Sequence, residues 1–66
     1  MERLIIYGVY SHLTKSYLGY YKHVHDAINV LESRLYENNE IDYDRNVLLS
    51  KTDNNILMAV HPIVVN

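Results

Sequence analysis

Apolar positions along this chain follow two different periods. In "LIIYGVYS", Leu4 to Ser11, and, after the polar stretch "HLTKS", in "YLGYY", Tyr17 to Tyr21, β-branched and aromatic residues crowd together. That pattern predicts an antiparallel hairpin. Gly8 and Gly19 fall inside the two runs, where glycine marks a bulge or the close approach of another element. From Val24 the period changes: Val24, Ala27, Ile28, Leu31 and Leu35 recur at three- and four-residue steps and predict one amphipathic helix. His25, Asn29, Glu32 and Tyr36 fall on its other side, and the asparagine pair in "ENNE" favours its end there.

Beyond the acidic stretch "YENNEIDYD" come "NVLLSK" and "ILMAVHPIVV", with the turn residues "TDNN" between them. They predict a second hairpin, against the competing reading of a helix through "DRNVLLSK". Pro62 lacks a backbone donor, so the last strand is expected to be an edge there, or bulged or broken. The expected fold is α+β: an antiparallel sheet of two hairpins with one amphipathic helix between them (β-β-α-β-β), residues 1–66 forming a single small domain.

Size sharpens this picture. A 66-residue chain buries only about 60% of the surface its unfolded form exposes, and disulfides, a metal or a partner commonly make up the deficit. There is no cysteine, which removes disulfides and thiolate zinc sites together. The start "MERLIIYGVYSH" reads as neither signal peptide nor membrane span, so a cytoplasmic protein without membrane attachment is expected. A net charge of −2 offers a phosphate backbone no general attraction and argues against nucleic acid as the main partner. Glu37, Glu40, Asp42 and Asp44 nevertheless cluster, either as a solvated loop or as an acidic patch that a basic surface on another protein would recognise.

The histidines invite a metal, with His23 and His25 flanking Val24 beside Asp26. As first residues of a helix they stand about 200° apart, which prevents them from sharing an ion. His23 falls at the N-cap, with Asp26 placed to favour the helix dipole. The spacing of His12 and His61 does not require either to join them, and neither a metal nor another cofactor is expected. A hydrolase built on Ser11 or Ser16, a histidine and Asp26 lacks the nucleophile turn and oxyanion site that would give the set meaning. No glycine-rich phosphate loop is present. No catalytic residue is therefore assigned, and the chain is expected not to be an enzyme.

Apolar residues are in surplus. One helix covers one face of a four-stranded sheet, yet Ile56, Met58 and Val60 alternate with Leu57, Ala59, Ile63 and Val65, and Ile5, Tyr7 and Val9 with Leu4, Ile6 and Tyr10. All seven aromatic residues are tyrosines, which suit half-wet faces and interfaces. Either ragged strand ends explain the surplus, or a partner covers the second face. The second alternative makes Tyr10, Tyr17, Tyr20, Leu57, Ile63 and Val65 an interaction surface and predicts a homodimer.

The sequence of "LIIYGVY", then "GYYKHVHDAINVLESRL", then "NVLLSKTDNNILMAVHPIVV" resembles that of small early proteins of tailed bacteriophages, and so does the abundance of Tyr, Asn, Ile and Lys. The resemblance implies a non-enzymatic viral protein that binds a bacterial host protein and inhibits or redirects it. The alternative is a nucleic-acid-binding module in which sheet tyrosines, among them Tyr10, Tyr17, Tyr20 and Tyr21, stack bases while Arg3, Lys15 and Lys22 meet phosphate.

Overall fold

In the computed structural model, which describes residues 3–66, the first two apolar runs form β1 (Leu4–Ser11) and β2 (Ser16–Tyr21), and the helical stripe forms α1 (Val24–Ser33). Three strands follow: β3 (Asn39–Asp42), β4 (Val47–Ser50) and β5 (Ile56–Val65). All pair antiparallel in one sheet of order β2-β1-β5-β4-β3, so the fold is α+β with both hairpins in place. The sheet has five strands where four were expected. Its extra member, β3, comes from the acidic stretch, because Ile41 reaches the core from between Glu40 and Asp42 while its backbone pairs with β4. The "NVLLSK" segment is strand rather than helix.

The helix lies over β2, β1 and β5. Ala27 and Leu31 are fully buried there against Val9, Leu48, Met58 and Val60, with Tyr7, Tyr21, Ile28 and Ile41 closing the margins. Leu35 does not share that burial: the helix ends at Ser33, and Arg34 and Leu35 donate to the carbonyls of Leu31 and Glu32 instead of extending it. The turn before β4 has Asn46 at φ 56° and the turn before β5 has Asn54 at φ 59°; asparagine is one of the few side chains that tolerates this left-handed backbone.

Two bulges decide which residues share a face. Val9 pairs with Gly19 but Tyr10 with Tyr17, leaving Leu18 extra in β2; Leu48 pairs with Met58 but Leu49 with Ile56, leaving Leu57 extra in β5. A bulge residue breaks the strict alternation of side chains. Leu57 consequently packs against the core beneath the helix, while Ile56 joins Val47, Leu49 and Ala59 in a second cluster on the other face.

β5 is a central strand over only half its length. β4 stops at the Val47–Ala59 pair, and the Val60 N–H donates to the carbonyl of Asn46 just beyond it. Donors alternate along a strand, so the nitrogen of Pro62 points to the same side two residues later, where no strand remains among the described residues. A proline is tolerated in this strand because it sits on a local edge, as its sequence position predicts.

Candidate interaction face

The face away from the helix follows from the register. Across the sheet Tyr17, Tyr10, Ala59, Val47 and Asp42 form one row, Tyr20, Gly8 and His61 a second, Ile6 with Ile63 a third and Leu4 with Val65 a fourth. Tyr17 and Tyr20 are three residues apart and would lie on opposite faces of a regular strand. The extra residue Leu18 brings them together.

Their rings form a connected aromatic cluster. Tyr10 meets Tyr17 edge-on with centroids 5.0 Å apart, Tyr17 stacks on Tyr20 at 5.3 Å, and His61 stacks on Tyr10 at 5.7 Å. His12 closes the other side of Tyr10 at 5.3 Å. Tyr17 Oη and His61 Nδ1 share a hydrogen bond of 3.2 Å. Contacts at these separations favour one arrangement of the rings over others. Tyr20 is 57% exposed and Tyr17 38%, so the cluster is ordered by its neighbours yet open to water.

Of the residues expected to form an interaction surface, Tyr10, Tyr17, Tyr20, Ile63 and Val65 share this face. Leu57 does not, because the β5 bulge turns it toward the helix-side core. His61, His12 and Gly8 belong to the cluster without having been assigned to it. Their signal in the sequence was weak: a glycine inside a strand, and two histidines whose partners lie across strands rather than nearby in the chain.

The acidic residues divide by role. Glu40 and Asp42 are in β3, with Glu37 before it and Asp44 after it. Asp42 is part of the turn itself: its Oδ1 accepts from the Asp44 and Arg45 N–H groups at 3.0 and 3.2 Å, and its Oδ2 accepts from Arg45 Nε at 2.7 Å. Those bonds, the Arg45 side chain first, hold its carboxyl below the ordinary value of 3.8. The stretch is therefore structured where a solvated loop was one of the readings. Glu37, Glu40 and Asp44 remain exposed.

His23 is the N-cap with an extended backbone, φ −116° and ψ 135°, and its carbonyl accepts from Asp26 N–H. Because His23 is not itself helical, the expected separation of about 200° from His25 does not apply. Their rings stack instead, with centroids 6.1 Å apart. Among the described residues no three His, Asp or Glu side chains converge as metal ligands. Ser11 is buried and accepts from Thr14 N–H, and Ser16 pairs with Thr14, so the hydrogen bonds of both hydroxyls run to Thr14. A shallow cleft between the β1–β2 and β4–β5 turns is lined by His12, Leu13, Asn54, Asn55, Ile56 and Leu57. No helix among the described residues is long and apolar enough to cross a membrane.

Neither a protein-family model, nor a curated protein, nor a solved structure matches this chain.

Proposed function

We propose that this chain is a small non-enzymatic interaction protein, phage-encoded, that acts by occupying a surface of a bacterial host protein and so inhibits or redirects it. The observation that carries the reading is the uncovered cluster of Tyr10, Tyr17, Tyr20 and His61 on a face continued by Ile6, Ile63, Leu4 and Val65. Tyrosine is enriched among the residues that dominate binding energy. Rings already held by one another lose little freedom on binding, which lowers the entropic cost of association.

The tyrosines also support a second reading, since no acidic residue occurs from Arg3 to His25 while Lys15 and Lys22 do. Stacked, exposed rings near lysines suit single-stranded nucleic acid. The aliphatic continuation of the face through Ile63 and Val65 offers nothing to phosphate or base edges, and it favours a protein.

The test compares the tagged native chain with a folded Tyr17→Ser, Tyr20→Ser variant on bacterial lysate. A protein recovered in stoichiometric amount by the first and lost by the second is the expected result. Equal recovery by both, or binding of single-stranded RNA or DNA that weakens as salt rises, would overturn it.

A further inference from the structure

β1 and β5 run on together past both of their neighbours. The β1–β5 ladder extends to the Leu4–Val65 pair, whereas β2 ends opposite Tyr7 and β4 ends opposite Ala59. The projecting ribbon is apolar on both faces, with Leu4, Ile5, Val64 and Val65 all exposed. Two strands alone are marginal in water. Along β5 the open edge spans residues 61–65, and the donors and acceptors facing it follow from the Val60 bond to Asn46: the Pro62 carbonyl and both the N–H and C=O of Val64.

We propose that a second copy of this chain fills that notch, its residues 62–66 pairing antiparallel with residues 62–66 of the first about a two-fold axis at Val64. The length fits reciprocally, because each copy supplies the segment that the other lacks. Val64 of each exchanges both backbone bonds with Val64 of the other, and the Pro62 carbonyl accepts from Asn66 N–H of the copy. The two-fold uses the same edge on both copies, so the pairing closes as a dimer rather than an open series, and Pro62 removes one donor at its margin.

Charge complementarity supports this register. Arg3 follows outward from the Leu4–Val65 pair, so in the dimer it lies one strand beyond β5 of the copy, level with Pro62 of the first chain. One strand beyond β4 on that side is β3, whose turn from Asp42 to Arg45 stands level with Val60. Each Arg3 therefore comes to the acidic turn of the other chain, where Arg45 already engages Asp42 and Asp44 is the exposed carboxylate. The two-fold runs normal to the sheet, so both tyrosine clusters face the same side. The seam lies apart from those clusters, and the inference does not rest on how that face is read.

The chain has no cysteine, so Val64→Cys introduces a unique thiol. A directly opposed, hydrogen-bonded pair has Cα atoms about 5.5 Å apart, inside the range a disulfide spans, whereas Val65 of each copy would be diagonal and beyond it. Under mild oxidation Val64→Cys is expected to give covalent dimer at least about ten-fold faster than Val65→Cys. In sedimentation the native chain should associate to a dimer and stop there. Arg3→Glu and Asp44→Arg should each weaken the dimer several-fold, and the two together should restore it. All four substitutions are at exposed positions, and circular dichroism checks that each variant is folded. Four outcomes would overturn the proposal: a native monomer up to millimolar concentration, an open series of larger species, cross-linking at Val65 as fast as at Val64, or a dimer indifferent to Arg3 and Asp44.

Discussion

The ring of Tyr17 lies directly over Gly8: a Cβ at that glycine would stand 2.7 Å from Tyr17 Cε1 and 2.8 Å from Cδ1, with Ile63 Cδ1 at 3.1 Å. An aromatic ring covering a strand glycine replaces the packing that the missing side chain would provide. Gly8 is thus what allows Tyr17 to lie flat enough to stack on Tyr20 and bond to His61. Gly8→Ala is expected to destabilise the fold by about 1–3 kcal/mol through overpacking and to swing the Tyr17 ring away. Urea denaturation measures the first effect, and the loss of ring-proton contacts between Tyr17 and His61 in NMR spectra measures the second. A variant with unchanged stability and intact contacts would show that the ring is not seated on the glycine.

A second contact ties the helix to the turn beyond β3. Tyr43 Oη donates to Glu32 Oε2 at 2.9 Å, and that bond, with some desolvation and the carboxylate charge, raises the phenol above its ordinary 10.0. The folded chain therefore holds this proton more tightly than the unfolded chain does. Its contribution to stability is complete below pH 10.0 and is lost as pH rises through the folded value. Tyr43→Phe should remove one step lying above 10.0 from the tyrosinate absorbance titration and flatten the fall in stability on that side. An unaltered titration would mean that the bond does not persist in solution.

How much of this was legible in the sequence depends on whether a local rule or a cross-strand event decided it. The helix from Val24 was readable because its apolar stripe is long and its period unambiguous, and both hairpins were readable from β-branched runs around turn residues. β3 was hidden because Ile41 is the one apolar residue between Asn39 and Asp42; its strand state depends on β4 lying beside it. Faces were misjudged where bulges occur. Gly19 hinted at the bulge beside Leu18, which put Tyr17 and Tyr20 together. Nothing comparable flags Leu57, which stands between the apolar residues Ile56 and Met58 with no glycine near it.

That displacement of Leu57 separates two residues, Leu57 and Val65, that strict alternation places on one face of β5. Leu57 packs against the helix-side core, while Val65 is 40% exposed on the ribbon. In dilute protein Leu57→Lys is expected to cost about 2 kcal/mol or more, by removing core packing and forcing an ammonium toward it, whereas Val65→Lys stays within about 0.5 kcal/mol. A domain of this size has about 3–5 kcal/mol in hand, so in urea denaturation the first variant should lose about half of its stability and the second almost none. Equal stability of the two would put Leu57 back on the surface.

Pro62 separates the stability of one chain from the association of two. Its ring fixes φ and restricts the unfolded chain, so replacing it with valine should lower the thermal stability of dilute protein by about 0.4–1 kcal/mol. The same change restores an N–H on the open side of β5, where no strand among the described residues receives it. A copy aligned on Val64 does supply an acceptor there, the carbonyl of its Asn66. Pro62→Val is consequently expected to make the dilute chain less stable and the dimer tighter, two effects of opposite sign from one substitution. Thermal melts at low concentration read the first, and sedimentation across a concentration series reads the second. If the variant is destabilised but associates no more strongly than the native chain, the edge beside Pro62 is not where two copies meet.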